Sequence, residues 1–190
     1  MSRDPGFVVS SALLFCMTTL VACAAPEEAV NPAAEAAEPK ATQPAIALFE
    51  LVPSGSEPWP GIVTAGQPSK EEFLALRDAG LRTVINLRVP TERGTQDEPQ
   101  WMEELGLTYI SIPVKGAEGL SADVAVELDE ALEAAERPVL VHCGSSNRVG
   151  AAFALRAFHL EGAAADQAVE IGLSAGMTRL EGRVRELLAN

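Results

Sequence analysis

The chain of 190 residues carries a formal net charge of −13, with a pI near 4.5. Such a length holds one domain of ordinary size once a targeting segment is set aside. The acidic balance excludes the basic patch that a nucleic-acid partner requires, and it disfavours electrostatic attraction to anionic lipid.

The N-terminus offers another route to a membrane. Residues 7–22, FVVSSALLFCMTTLVA, form an apolar run of signal-peptide length behind Arg3, whose charge Asp4 offsets. The run ends in LVAC, with small residues ahead of Cys23, and so resembles the lipobox of bacterial lipoproteins. That resemblance implies a signal peptide over residues 1–22 and a lipidated Cys23 as the mature N-terminus. An uncleaved anchor helix is the alternative, for which the run is short. Ala24 supplies no acidic retention signal. The expected location is therefore the bacterial cell envelope, lipid-anchored on the periplasmic side, with the outer membrane favoured. Cys16 leaves with the signal and Cys23 carries lipid, so Cys143 is the remaining thiol. No disulfide framework accounts for it, which makes it a candidate for chemistry.

Residues 24–44 are dominated by Ala, Pro and Glu and contain no aromatic, the composition of a spacer that buries too little to order itself. The folded domain is expected over residues 45–190. GIVTAG (61–66) reads as a strand and turn. Ser69 and Glu72 form a capping box for a helix that stops at Gly80. RTVINLR (82–88) is a β-branched strand, and DEPQWMEELG (97–106) a short helix closed by Gly106. LTYISIPV (107–114) is the next strand. Residues 121–136 show helical spacing behind Ser121 as N-cap. PVLVHC (138–143) is a continuous apolar run, as in a central strand buried on both faces. RVGAAFALRAFHLEG (148–162) is helical and two further helices follow, with Thr178 and Glu181 read as a second capping box. The alternation predicts an α/β domain whose mainly parallel central sheet is flanked by helices.

One segment concentrates the chemistry. The buried strand delivers Cys143 at its C-terminal end, where α/β sheets place their sites. Small residues Gly144, Ser145, Ser146 and Asn147 lead into a helix through Arg148 and Val149. Successive backbone N–H groups in such a turn make an anion nest, and the helix N-terminus adds its positive end. The same field favours a cysteine thiolate. Arg148 can fork two donors onto an oxyanion. The bland alternative is an inert buried cysteine and an arginine paired elsewhere.

HC, a short loop and Arg resemble the signature of cysteine-dependent protein tyrosine and dual-specificity phosphatases. The fuller match is to the beta-lactamase-hydrolase-like phosphatase family. TAGQPSKEEFLALRDAGLRTVINLR, LGLTYISIPV, PVLVHCGSSNRVGA and AGMTRLEGRV resemble its successive blocks in order, over most of residues 61–185. The resemblance implies a phosphatase-like fold, Cys143 as nucleophile and Arg148 as phosphate clamp. It implies a phosphate monoester as substrate, on a small molecule or a protein, phosphotyrosine included.

The departures are specific. Typical phosphatases place five residues between Cys and Arg, and this chain places four. That spacing also occurs in rhodanese-type sulfurtransferases, where the loop carries a persulfide, so sulfur transfer through Cys143 is a second reading. Many phosphatases follow the arginine with Ser or Thr to steady the leaving thiolate. Val149 stands here, with Ser145 or Ser146 as candidate substitutes. For the general acid the candidates are Glu118, in the loop after the IPV strand, and Asp97 and Glu98, in GTQDEPQ. Asp123 is assigned instead to supporting a helix N-terminus. Each candidate is equally a solvated loop charge, and a non-catalytic phosphate-binding module is the third reading. His142 is a buried hydrogen-bonding support and His159 a structural or surface residue. Asn147 is expected to order the loop through its backbone, and Arg88 to pair with a loop carboxylate or lie at the surface. Two histidines and one mature thiol suggest no metal cluster, and no cofactor is implied.

Overall fold

The computed structural model describes residues 47–189, so the signal, lipid and spacer readings lie outside the described residues. After a 3-10 turn (Leu48–Leu51) come β1 (Ser56–Trp59), β2 (Ile62–Ala65), α1 (Lys70–Asp78), β3 (Thr83–Asn86), α2 (Glu98–Leu105) and β4 (Thr108–Ser111). There follow α3 (Ala122–Ala134), β5 (Val139–His142), α4 (Asn147–His159), α5 (Ala165–Ser174) and α6 (Glu181–Leu188). The sheet order is β1-β2-β5-β3-β4. All neighbours are parallel except β1, which runs antiparallel to β2 at one edge. The expected α/β architecture is thus the observed one. The sequence reading lacks β1, which holds Pro58 and is followed by Pro60. An edge strand tolerates proline, since its outer side needs no donor.

β5 sits between β2 and β3, and all four of its residues are buried. Side chains alternate across the sheet, which sorts the core into two layers. Val139 and Val141 join Ile62, Ile85, Leu128 and Phe153 on the face covered by α3 and α4. Leu140 joins Val63, Val84, Phe73 and Met102 on the face covered by α1 and α2. Cys143 belongs to the first layer. His142, one residue earlier, points to the second, where its ring meets Phe73 edge-on at 5.7 Å.

Two of the three predicted N-terminal caps form. Ser69 Oγ accepts from Glu72 N–H at 3.2 Å while the Glu72 carboxylate accepts from Ser69 N–H at 2.6 Å. Ser121 Oγ accepts from Val124 N–H at 3.4 Å. The Thr178–Glu181 box does not form. α6 starts later, with Leu180 at its N-cap, and Thr178 N–H donates to Asn147 Oδ1 at 2.8 Å instead. A tertiary acceptor at the start of α4 has displaced the local cap.

Candidate active site

Cys143 leaves the end of β5 at 1% exposure. The loop behind it turns at Ser146, whose φ of +60° lies in the left-handed region, and α4 begins at Asn147. For a non-glycine residue this backbone is costly unless the surroundings fix it. They do so here: Ser146 Oγ donates to the Ala175 carbonyl at 3.0 Å. A Cβ at Gly176 would fall 2.4 Å from that hydroxyl oxygen, so glycine makes room for the anchor. Asn147 ties down the next position, its Oδ1 accepting from the amides of Thr178 at 2.8 Å and Leu180 at 3.3 Å. The α5–α6 loop therefore holds the turn at the head of α4, whose first amides have no acceptor within the helix.

Arg148, in the first turn of α4, reaches back across the loop. Its Nη1 donates to the Val114 carbonyl at 2.9 Å and to Glu92 Oε1 at 2.5 Å, and Nη2 donates to Glu92 Oε2 at 2.8 Å. Hydrogen bonding to Glu92 is the main reason the guanidinium is held above its ordinary pKa, and the adjacent Cys143 acts in the same direction. Glu92 in turn takes Arg88 Nε at 3.0 Å and Val89 N–H at 3.0 Å. These donors, Arg148 foremost, outweigh partial burial and bring its carboxyl down from 4.5 to about 2. Glu92 is an ionised clamp on the arginine, not a proton donor.

The network continues through the sheet. Arg88 Nη1 donates to the Gln67 side-chain carbonyl. Gln67 Nε2 donates to Glu98 Oε2 at 2.7 Å. Glu98 Oε1 takes Asn86 Nδ2 at 2.8 Å and His142 Nε2 at 3.0 Å. Burial raises the Glu98 pKa, but the hydrogen bond and charge of His142, with Gln67 and Tyr109, bring it below the ordinary carboxylate range. An ionised carboxylate only accepts, so His142 Nε2 carries the proton. Nδ1 of His142 is a buried atom without a hydrogen-bond partner among the described residues.

These placements sort the expected site residues. Cys143 and Arg148 come together at the start of α4, with Gly144 and Ser145 exposed on the loop and Val149 buried behind it. His142 is buried and hydrogen-bonded to Glu98 at the start of α2. Glu98 is 0% exposed, hydrogen-bonded to His142, and does not line the cleft at Arg148. Asp97 is the exposed N-cap of α2, and Glu118 is exposed in the loop between β4 and α3. Neither lines the cleft at Arg148. Ser146 cannot steady a thiolate while its hydroxyl serves Ala175, so of the two serines Ser145 alone faces the cleft. Asn147 bonds the α5–α6 loop rather than its own backbone. Arg88 does pair with a loop carboxylate, Glu92. His159 is exposed, its ring edge-on to Phe158.

Glu92 is the functional residue the sequence reading missed. The signal available was its place in the loop after a parallel strand's C-terminal end, the zone where such sheets bind ligands. Also missed were Lys115 and Arg179. They join Glu92, Ser145, Asn147 and Arg148 around a cleft of about 440 Å³, with Val89, Gly116 and Leu180 completing its walls.

A thiol and a clamped arginine brought together at the head of a helix, on a parallel sheet, are the arrangement of a phosphatase-like domain. The chain belongs to the family described as beta-lactamase hydrolase-like protein, phosphatase-like domain, whose model matches residues 60–159. A beta-lactamase hydrolase-like protein of Xylella fastidiosa (strain Temecula1) is 34% identical over 98 residues, which are 50% of this chain and 22% of that protein. The chain thus matches about a fifth of the relative's length. Among solved structures, the core catalytic domain of the PP-IP phosphatase SIW14 from S. cerevisiae superposes with a TM-score of 0.59 at 17% identity. The match covers 73% of this chain and 85% of that one. TpbA from P. aeruginosa, in complex with pTyr, gives 0.54 at 19% identity, covering 68% and 79%. At these identities the structural likeness speaks for the fold alone.

Proposed function

We propose that the chain is a cysteine-dependent phosphatase acting on phosphate monoesters and related phosphoryl groups. Cys143 Sγ attacks phosphorus, forming an S–P bond as the P–O bond to the leaving group breaks, and water then hydrolyses the cysteinyl-phosphate to return the thiolate. The amides at the head of α4 and Arg148 stabilise the charge on the equatorial oxygens. The observation that carries this reading is the doubly held Arg148, fixed by Glu92 and Val114 beside Cys143. The names of the structural neighbours, a PP-IP phosphatase and a pTyr-bound protein, support phosphoryl chemistry and leave two substrate classes in view. The test is hydrolysis of para-nitrophenyl phosphate by the full chain beside Cys143→Ser. Loss of turnover in the variant is expected, and equal rates would sink the reading.

Sulfur transfer is a second reading, supported by the four residues between Cys143 and Arg148. Thiocyanate formed from thiosulfate and cyanide, faster than any phosphate release, would favour it. A phosphate-binding module without turnover would show oxyanion binding and neither activity.

The proposal extends to location. Residues 1–22 act as an export signal and Cys23 bears the lipid that holds the domain to the periplasmic face of the cell envelope, with residues 24–44 as spacer. Cys23→Ala should move the protein from the membrane fraction to the soluble one and abolish incorporation of labelled palmitate. Membrane retention without label would favour an uncleaved anchor.

A further inference from the structure

Lys115 and Arg179 bring positive charge into one cleft of a chain whose net charge is −13. They come from separate loops, Lys115 before α3 and Arg179 before α6. Both are exposed, and neither forms an ion pair or hydrogen bond with a side chain among the described residues. Arg148 and Arg88 already share Glu92, and that trio holds the reacting phosphoryl group's clamp in place. Two cations are therefore surplus to one phosphoryl group. In an acidic protein they concentrate the local attraction for a polyanion at this mouth.

Two further features narrow the substrate. Among the described residues none that lines the cleft is aromatic, and Val89 and Leu180 are its only large apolar side chains, a poor slot for the ring of a phosphotyrosyl group. Glu92 is the one carboxylate among the described lining residues, and its pKa of about 2 leaves it no proton to give. An alkoxide leaving group needs that proton. A phosphate leaving group needs it far less, because its oxyanion is a much weaker base than an alkoxide, a phosphate monoester taking its last proton only at about pH 6.

The geometry points to a compact polyanionic substrate with adjacent phosphates joined by a phosphoanhydride, Lys115 and Arg179 holding the phosphate beyond the scissile bond. This rests on the phosphatase reading above. Cys143 Sγ bonds to the terminal phosphorus, the bridging P–O bond breaks, and its electron pair leaves with the shortened phosphate. Water then opens the S–P bond, releasing inorganic phosphate and one proton to solvent.

The test compares inorganic tripolyphosphate with para-nitrophenyl phosphate on the full chain, on Lys115→Gln, on Arg179→Gln and on the double variant, with circular dichroism to verify folding. The expected result is that neutralising the pair lowers kcat/KM for tripolyphosphate at least about tenfold more than for the aryl ester. Each single variant should lose part of that difference. Equal losses on both substrates, or hydrolysis of the aryl ester without tripolyphosphate, overturn the assignment and leave the phosphatase reading standing. Inactivity on both substrates removes that reading, and this one with it.

Discussion

Glu92 grips Arg148 with both carboxylate oxygens, Oε1 to Nη1 at 2.5 Å and Oε2 to Nη2 at 2.8 Å. A bidentate pair fixes the plane of the guanidinium as well as its position. Glu92→Ala removes that orientation and leaves a half-buried cation with only carbonyl partners. We expect kcat/KM for an aryl phosphate to fall by about tenfold to a hundredfold, with KM rising as kcat falls. Glu92→Gln, which keeps one acceptor oxygen, should lose less. Steady-state kinetics on the two variants check this, and identical full losses would show that charge rather than geometry is what Arg148 requires.

The same pair sets a pH dependence of stability. The Glu92 carboxyl titrates at about 2 in the folded chain against 4.5 as its ordinary value. A lowered folded pKa gives stability that is complete above the unfolded value and is lost as pH falls. Glu98, also lowered, acts in the same direction. The melting temperature should therefore drop as pH is taken from about 4.5 toward about 2, and Glu92→Gln should flatten part of that slope. Thermal unfolding followed across this range decides it; an unchanged slope in the variant would show that other carboxylates carry the acid transition.

Glu98 separates support from catalysis. Removing one partner of a buried pair strands the other, at a cost of about 3–5 kcal/mol. Glu98→Ala should accordingly shift the urea midpoint strongly, and Glu98→Gln less. Whatever rate is lost should be lost equally on para-nitrophenyl and phenyl phosphate, since Glu98 is buried against His142 and Asn86 and does not line the cleft. A general acid behaves otherwise: its loss grows as the leaving group worsens, and proton transfer is worth about 10²–10⁴-fold. The same pair of substrates applied to Asp97→Asn and Glu118→Gln should show changes within about twofold on both. A selective loss on phenyl phosphate in any of the three would identify the acid.

Much of this was legible because the signals were local. VLVH reads as a doubly buried strand because both of its faces are covered, and HCGSSNR reads as an anion loop because thiol, small residues and arginine lie within one short segment. Glu92 escaped because its role depends on where the loop after β3 folds, and no periodicity or cap marks it. Asp97 and Glu98 attracted attention in that same segment, yet strand alternation turns His142 away from the Cys143 face, and Glu98, at the start of α2, pairs with it there. β1 escaped because Pro58 within it and Pro60 just beyond it give the segment a loop-like composition. Thr178 was misread because a local cap is visible in sequence, whereas a competing acceptor thirty-one residues away, Asn147 Oδ1, is not.

The last prediction concerns how α4 is seated. Gly150 lies one turn behind the loop, where an added Cβ would come within 2.3 Å of both the Gly172 carbonyl oxygen and the Met177 amide nitrogen. Those neighbours are backbone and cannot rotate away, and Gly172 faces Gly150 in turn, its own Cβ falling 2.7 Å from the Gly150 carbonyl oxygen. Gly150→Ala would ordinarily favour a helix, by about 1 kcal/mol. Here overpacking should outweigh that gain, giving a net destabilisation of about 1–3 kcal/mol and moving α4 away from α5. Because Asn147 and Ser146 anchor the loop to the segment between α5 and α6, the same shift should loosen the anion cradle and raise KM for an aryl phosphate. Gly182→Ala is the control: an added Cβ meets nothing within 4 Å, so it should stabilise α6 slightly and leave KM alone. Urea unfolding with matched kinetics distinguishes the two, and a stabilised Gly150→Ala would show that α4 and α5 have room to part without disturbing the site.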